Sequence, residues 1–402
     1  MNPAAPMRRV EALAALVDGA GALLLEEVER HQHPGPAEVT RWRKVAPAEV
    51  VAAAMDVAAG RRSLQGRRDD WRTFWADREG AAQASDDASA AWKAHRLASM
   101  QEEAVDLCCG CGADLVALRR VLPSVRGVDL REERAWMAAR NAGCDTVVAD
   151  ATQHRCIERV VHLDPARRDE STGRRRHAWN DLTPGPGFVA DLARRTEAMA
   201  VKLGPGVEIP PAERPLESEL AFLSRDGTLT QAVLLTGRAA HHPGRNTAVR
   251  LVDGSETSGV ASWSVQSGSP GWPPCTAWGR FVAEPDPSLE RSGLLGDVAG
   301  PLELRERFAG LGLCTRDARP QGTPAEAWFR WFERLDTLPA RLPALERRLR
   351  DLGAGEVHVK VRGGVVDADG WSRALRGGGE QALVVLVHRA GAGAEAVIAR
   401  RI

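Results

Sequence analysis

The chain has 402 residues, of which 44% are hydrophobic and 27% are charged. This composition is typical of a soluble globular protein with two or three domains, and it argues against a disordered or fibrous chain. The 54 basic and 54 acidic residues cancel, so no whole-molecule field attracts nucleic acid or an anionic membrane.

Apolar runs and cysteines indicate the compartment. The longest apolar runs, such as 382–387, are far shorter than the roughly 20 residues of a membrane span. The seven cysteines are an odd number, and three of them lie within 108–111, which fits a reducing compartment better than a disulfide framework. We therefore expect a cytoplasmic protein that does not associate with a membrane.

The basic residues are strongly biased, with four lysines and 50 arginines. The planar guanidinium suits recognition of phosphates and bases. A GC-rich genome gives the same bias without any function, so the arginine content alone does not indicate a nucleic-acid partner.

Residues 1–100 are predicted to form a helical N-terminal domain. Apolar residues recur at intervals of three and four from Val10 to Val28, and the Pro-Gly-rich segment 33–36 ends that helix. Large aromatic residues are expected to pack the following helices together: Trp71, Phe74, Trp75 and Trp92.

Strands and helices alternate over 101–280, which predicts a Rossmann-like domain with a β-rich extension. This alternation is typical of a doubly wound parallel α/β sheet. A hairpin of 219–223 and 231–235 is expected to add an antiparallel edge. The predicted parallel strands are 104–107, 126–130, 146–149, 160–163 and 201–203.

The rest of the chain is predicted to contain a helical linker over 281–327 and a small α/β domain over 328–402. In the small domain, a helix over 342–352 is followed by alternating apolar residues that predict strands at 357–361, 382–388 and 396–398. The charge of this domain is weakly basic.

The strongest chemical signal is the segment 106–112, Asp-Leu-Cys-Cys-Gly-Cys-Gly, at a predicted strand-to-helix turn. Small residues there let the backbone approach a ligand, and the next helix begins with free N–H groups. Three further predicted strands end in carboxylates, which would lie at the same sheet edge: Asp129, Asp150 and Asp164. Thiols and carboxylates suit a pyrophosphate poorly, so a cationic sulfonium cofactor with a ribose and an adenine fits better than a nicotinamide dinucleotide.

On these residues the chain resembles the class I S-adenosylmethionine-dependent methyltransferases. The resemblance implies that the loop holds the methionine part of the cofactor through Asp106, Cys108, Gly110, Cys111 and Gly112. It also implies that Asp129, with Leu130 beside it, binds the ribose, and that Asp150, with Ala151, binds the adenine. Cys108 departs from the glycine usual at that position. The alternative for Asp129 and Asp150 is a solvated carboxylate at a strand end.

The three cysteines of the loop include a Cys-x-x-Cys pair, so metal and redox chemistry must be weighed. A structural zinc needs four ligands, usually in two pairs, and neither Cys144 nor Cys156 has a paired neighbour. We expect no metal site and interpret the thiols as small loop-filling side chains.

The segment Asp164-Pro165-Ala166-Arg167 follows the fourth predicted strand. It resembles the Asp-Pro-Pro/Ala-Arg turn of RNA 5-methyluridine methyltransferases, and the loop at 106–112 resembles that of trimethylguanosine synthases. The 5-methyluridine enzymes also need a later nucleophilic cysteine, and neither Cys275 nor Cys314 lies in such a setting, which disfavours covalent pyrimidine methylation. We therefore expect direct transfer to nitrogen or oxygen, with Asp164, Pro165 and Arg167 as the catalytic turn and Asp164 orienting or deprotonating the acceptor.

Basic residues near this turn are candidate substrate contacts. They are Arg168, Arg174, Arg175 and Lys202. Arginines there would hold RNA phosphates, although a run of arginines is also common in solvated loops.

Over nearly its whole length the chain resembles bacterial methyltransferases with a C-terminal THUMP-like domain. THUMP domains bind RNA, so the resemblance implies an RNA partner, a tRNA or rRNA, with 360–364 as a candidate basic edge. Two alternatives remain open: methylation of a small molecule or protein, and a non-catalytic RNA-binding or assembly factor that keeps the fold. The sequence does not indicate an oligomeric state.

Overall fold

The computed structural model describes residues 7–98, 103–154, 159–166, 179–252, 261–266, 275–308, 310–391 and 393–402. The chain divides into two compact units. The first comprises Met1–Arg245 and Leu251–Ser262, and the second comprises Asn246–Arg250 and Trp263–Ile402.

The described part of the N-terminal region is helical, but the apolar segment from Val10 to Val28 forms two helices rather than the single helix predicted, because Asp18 adopts an extended backbone conformation between them. Its core is formed by residues such as Leu13, Val57 and Phe74, which are almost fully buried. Pro36 is the first residue of the third helix, where a missing N–H costs no hydrogen bond. The helices are α1 (Arg9–Ala14), α2 (Gly19–Glu29), α3 (Pro36–Trp42), α4 (Ala48–Leu64), α5 (Arg78–Gln83) and α6 (Asp87–Ala98).

The first unit also contains the predicted doubly wound sheet, in the order β3-β2-β1-β4-β5-β7-β6. The first five strands are parallel, and β7 and β6 follow them in antiparallel orientation, so the predicted fold class is confirmed. The elements are β1 (Glu103–Leu107), α7 (Ala113–Val121), β2 (Ser124–Asp129), α8 (Glu132–Ala142), β3 (Thr146–Val148), β4 (Val160–Leu163), α9 (Pro186–Arg195), β5 (Ala198–Leu203), β6 (Glu219–Arg225) and β7 (Thr228–Gly237).

Two strands, β8 (Asn246–Val252) and β9 (Ala261–Gln266), lie where the chain passes from one unit to the other. The second unit has its own seven-stranded sheet, in the order β11-β12-β10-β13-β16-β15-β14. Its elements are β10 (Phe281–Pro285), α10 (Pro287–Ser292), α11 (Leu295–Ala299), β11 (Arg305–Glu306), β12 (Cys314–Arg316), β13 (Phe329–Pro339), α12 (Leu342–Asp351), β14 (Ala354–Arg362), α13 (Ala368–Ala374), β15 (Gln381–Ala390) and β16 (Gly393–Arg401).

The segment 281–327, which we expected to be a helical linker, contains three strands as well as two α-helices. β10 pairs with β13 from Phe281 opposite Glu333 to Pro285 opposite Phe329, so the segment belongs to the same sheet as the C-terminal region. β10 is buried on both faces, since Ala283 and Val282 lie in different core clusters. A strand buried in this way has no alternation of polar and apolar residues to reveal it.

Among the helices of the described residues, none is long and apolar enough to cross a membrane.

Two helical glycines lie in opposite surroundings and test the packing of the first unit. A Cβ on Gly60 of α4 would lie 2.2 Å from the Ala76 carbonyl oxygen, whereas a Cβ on Gly187 of α9 would meet nothing within 4 Å. We expect Gly60→Ala to destabilise the protein by about 1–3 kcal/mol, because the backbone must move. Gly187→Ala should stabilise it by up to about 1 kcal/mol through helix propensity. Urea denaturation of both variants measures these changes, and effects of the same sign would contradict the packing.

Candidate active site

The loop between β1 and α7 turns through three residues with positive φ: Cys108 at 58°, Gly110 at 55° and Gly112 at 82°. A Cβ on Gly112 would lie 2.9 Å from the Ala138 Cα, so glycine is needed there for α8 to approach. A Cβ on Gly110 would meet nothing within 4 Å, so the loop presents open backbone at that point. Cys108 adopts the left-handed backbone region that favours glycine, which explains why glycine is usual at that position. This conformation destabilises a cysteine by about 1–2 kcal/mol relative to glycine.

Asp129, the last residue of β2, is hydrogen-bonded to this loop. Its Oδ2 accepts from the Gly110 N–H at 2.8 Å, and its Oδ1 accepts from the Arg131 N–H at 3.0 Å. A carboxylate has about four lone-pair positions, so both oxygens keep capacity to accept further hydrogen bonds. The predicted ribose-binding residue therefore lies directly beside the predicted cofactor loop.

The neighbours of Asp129 present an apolar surface and a second carboxylate. Leu130 is 64% exposed, whereas Ala151 is buried. Asp150 is exposed, and its Oδ1 accepts hydrogen bonds from the backbone N–H and the hydroxyl of Thr152, both at 2.8 Å. These bonds lower the pKa of the Asp150 carboxyl, so it is ionised at neutral pH. An exposed leucine flanked by two carboxylates fits a nucleoside, which offers hydroxyl and amino donors around apolar ring faces.

The three thiols of the loop are protonated at neutral pH. Burial raises the pKa of the Cys108 and Cys109 thiols well above their usual value. Burial also raises the pKa of Cys111 to about 11, although an Arg134 Nη lies 2.8 Å from its sulfur. Neutral thiols are weak nucleophiles and weak metal ligands. Within the described ranges no group of three or more His, Cys, Asp or Glu side chains is placed to hold a metal ion.

Asp106 lies beneath the loop rather than on its surface. Its side chain is completely buried, and its Oδ1 lies 2.6 Å from the Nδ1 of His162 on β4. Burial raises the pKa of the Asp106 carboxyl. The structure therefore places Asp106 within the sheet, where it supports the loop, and no pattern in the sequence indicated its histidine partner.

A second buried charge, Asp114 at the start of α7, was not anticipated from the sequence. Its Oδ1 lies 2.7 Å from the Lys93 Nζ, and its Oδ2 accepts from the Ser85 hydroxyl at 2.9 Å. Burial alone would raise the pKa of the Asp114 carboxyl, but the charges of Lys93, His162 and Lys202 outweigh burial and hold that pKa below its usual range. The sequence around an acidic residue in the first turn of a helix does not show whether its side chain is buried or exposed to solvent.

Asp164 follows β4 at the same edge as the loop. Its backbone N–H donates to the Leu107 carbonyl at 3.1 Å, and its Oδ2 accepts from the Lys202 Nζ at 2.7 Å. Pro165 is buried and fixes the chain after it. Lys202 is also buried and donates to the Gln83 carbonyl at 2.8 Å, so its ammonium is held inside the protein. Four residues predicted near this turn lie outside the described residues: Arg167, Arg168, Arg174 and Arg175.

In the second unit, the cations of the candidate basic edge are paired internally. The ammonium of Lys360 and a guanidinium of Arg330 contact Glu284, and Arg362 lies 3.2 Å from Glu290. These pairs leave little unbalanced positive charge on β14.

Comparison with known proteins identifies the family. Over 294 residues the chain is 30% identical to an "Uncharacterized S-adenosylmethionine-dependent methyltransferase" of Mycobacterium tuberculosis, a match that covers 72% of this chain and 77% of the relative. The chain belongs to the S-adenosylmethionine-dependent methyltransferases. Its cofactor is S-adenosylmethionine, in agreement with the loop, the exposed leucine and the edge carboxylates.

Two further similarities concern the fold and the C-terminal region. A crystal structure from Porphyromonas gingivalis W83, described as a "putative methyltransferase", superimposes with a TM-score of 0.71 at 18% identity and covers 94% of this chain and 97% of its own. The family model "THUMP domain-like" matches residues 329–401 of this methyltransferase. The match begins with β13 and ends with β16, so the THUMP-like domain contributes four strands to the second sheet.

The ribose contact predicted for Asp129 is testable by calorimetry. We expect Asp129→Ala to weaken S-adenosylmethionine binding by about 1.5–3 kcal/mol, because the ribose hydroxyls lose a charged acceptor. Asp145→Ala is a matched control, since Asp145 is exposed and precedes β3 at the opposite edge of the sheet. Binding by the Asp129 variant within twofold of the unsubstituted protein would mean that another group holds the ribose.

Proposed function

We propose that this methyltransferase transfers the methyl group to a nitrogen or oxygen of structured RNA, on a base or a ribose of a tRNA or rRNA, and that Asp164 orients the acceptor. The observation that carries the proposal is the position of Asp164. Its backbone is hydrogen-bonded to the last residue of β1, directly before the cofactor loop, and its carboxylate is partly exposed at the carboxyl edge.

The geometry of Asp164 suits the orientation of an acceptor. One carboxylate oxygen is bonded to Lys202, and within the described part of the chain the other oxygen, Oδ1, has no partner. That oxygen is available to accept a hydrogen bond from an N–H or O–H of the acceptor and to take its proton, while the lone pair of the acceptor is directed away from the carboxylate. S-adenosylmethionine, when bound, supplies an electrophilic methyl group. Fixing the direction of attack is a large part of the available catalysis.

The RNA part of the proposal is supported by the THUMP-like match and by the charge on one helix face. α12 buries Leu345 and Leu349, while Arg347 and Arg350 are exposed and form no ion pair with any described residue. Unpaired arginines on a rigid helix are suited to phosphate contacts, because their charge is not already neutralised. This face therefore replaces β14 as the proposed phosphate-binding surface of the second unit.

The role of Asp164 predicts a large loss of turnover without a loss of cofactor. In Asp164→Asn, transfer of labelled methyl from S-adenosylmethionine into RNA isolated from cells that lack the gene should fall by a factor of about 100 or more. The affinity for S-adenosylmethionine, measured by calorimetry, should stay within about threefold of the unsubstituted protein, since the Asp164 carboxylate is proposed to face the acceptor.

Asp191→Asn provides the matched control for this assay. Asp191 lies on the exposed side of α9 and pairs only with Arg194 and Arg195 among the described residues, so its variant should methylate normally. Turnover by Asp164→Asn within threefold of the unsubstituted protein would assign acceptor orientation to another residue. Label that enters a small molecule or protein fraction instead of RNA would favour the alternative substrate classes, and label in no fraction would favour a non-catalytic role.

The RNA surface predicts a change in salt dependence. We expect the double variant Arg347→Gln, Arg350→Gln to weaken binding of total bacterial tRNA and to lower the slope of log affinity against log salt concentration by about 1.5, because two phosphate contacts are lost. Point variants are preferable to truncation at residue 328, since such a cut would separate β10 from its partner β13.

Arg119→Gln, Arg120→Gln is the matched control for tRNA binding. These two arginines are exposed at the end of α7, on the side of the sheet away from the cofactor loop. An equal fall in slope for both double variants would indicate non-specific attraction, and no fall for the α12 variant would remove this helix from the RNA surface.

A further inference from the structure

Lys202 was expected to contact substrate, but the structure gives its ammonium three partners inside the protein. Its Nζ donates to the Asp164 Oδ2 at 2.7 Å and to the Gln83 carbonyl at 2.8 Å, and it lies 4.0 Å from the Asp114 Oδ2. The side chain is 6% exposed. Two of the three ammonium hydrogens are therefore donated inside the protein, and the buried side chain has little access to a substrate.

The partners of Lys202 form a row of alternating charges that ends at the sheet edge. Lys93 pairs with Asp114 at 2.7 Å, Asp114 is next to Lys202, and Lys202 pairs with Asp164. Along this row only Asp164 is appreciably exposed, with 24% of its side chain accessible. The row thus places the positive charge of Lys202 behind the Asp164 carboxylate at the sheet edge.

Gln83 shows how this positive charge is held in place. Its carbonyl belongs to the last residue of α5, in the N-terminal helical region, and receives the hydrogen bond of Lys202 from β5 of the sheet. Asp164 directly follows the neighbouring strand β4, which pairs with β5 through Leu163 opposite Val201. Lys202 is therefore fixed from both sides, by a helix of the N-terminal region and by the adjacent strand.

We propose that Lys202 is a positioning residue, which holds the Asp164 carboxylate at the sheet edge and cancels much of its charge where the methyl donor and the acceptor meet. This inference rests on the proposed role of Asp164. An unscreened carboxylate at that place would attract the sulfonium of S-adenosylmethionine more strongly than the neutral thioether of S-adenosylhomocysteine. By screening the carboxylate, Lys202 keeps the donor from being held too tightly and leaves Asp164 free to bond to the acceptor.

The ratio of the two ligand affinities reports this charge directly. S-adenosylmethionine and S-adenosylhomocysteine differ by a methyl group and one positive charge, so the ratio Kd(homocysteine form)/Kd(methionine form) measures the local field at the sulfur. Lys202→Met should raise this ratio by about fivefold or more, because the carboxylate loses its screening partner. Asp164→Asn should lower the ratio, because the ammonium then remains without its partner. The double variant should return the ratio to within about twofold of the unsubstituted protein.

Two controls separate screening from a loss of structure. Lys360→Met removes a lysine that pairs with Glu284 in the second unit and should leave both affinities unchanged. Lys202→Arg retains the positive charge and should keep the ratio near that of the unsubstituted protein. Thermal unfolding of each variant shows whether it is folded before calorimetry.

The outcomes distinguish this inference from the proposed role of Asp164. If Lys202→Met weakens both ligands by the same factor, or leaves the ratio unchanged while Asp164→Asn alters it, Lys202 does not screen the carboxylate and the inference is overturned. If Asp164→Asn leaves the ratio unchanged, Asp164 does not lie near the sulfur and the proposed role of Asp164 fails first. If Lys202→Met does not fold, the affinity ratios of Lys202→Arg and of the double variant test the inference instead. A changed ratio in Lys202→Arg contradicts the inference.

Discussion

The buried ion pair between Lys93 and Asp114 connects the parts of the first unit that surround the candidate active site. Lys93 lies on α6 and Asp114 lies on α7, and the same ammonium also donates to the Ser85 hydroxyl at 3.0 Å and the Gln231 amide oxygen at 3.2 Å. One buried charge thus joins the N-terminal helices, the helix after the cofactor loop and strand β7. Removal of one partner from such a pair leaves an uncompensated charge in the interior, which typically costs about 3–5 kcal/mol.

This connection gives the N-terminal helical region a part in the site. Besides Lys93, it supplies the Gln83 carbonyl to Lys202, and it supplies Asp77, which lies 2.9 Å from Arg134. Arg134 in turn donates to the Cys111 sulfur in the cofactor loop. A loop rich in glycine has a large conformational entropy to lose on ordering. The contacts from the N-terminal helical region restrict the cofactor loop before the cofactor binds. This restriction reduces the conformational entropy that the loop loses on binding.

The sequence predicted most of the sheet and brought three candidate carboxylates to one of its edges, because both follow from local patterns. The short strand-like segments that lead into Asp129 and Asp164 are sufficient to place two strands, and parallel strands bring their ends together. The sequence did not predict β13 or the buried partners of Asp106 and Asp114. β13 pairs with β16, some 60 residues later in the chain, and such long-range pairing leaves no mark on local periodicity. Burial of a charged side chain depends on which elements pack over it, which spacing does not reveal.

Lys202 illustrates why a correct placement in the fold does not settle a role. The residue was placed at the end of the fifth strand beside the cleft, and it does lie on β5 next to Asp164. An exposed lysine at that position would be able to contact substrate, whereas a buried lysine neutralises the neighbouring Asp164 carboxylate. The packing of α5 over Lys202 decides between these roles. Among the described residues, the carboxylates proposed to bind the nucleoside, Asp129 and Asp150, accept hydrogen bonds from neutral N–H and O–H groups instead. The edge therefore contains two kinds of carboxylate. Asp129 and Asp150 have neutral partners and keep their full negative charge for a cationic ligand. Asp164 has a cationic partner, which reduces its charge at the place where a neutral acceptor is proposed to approach.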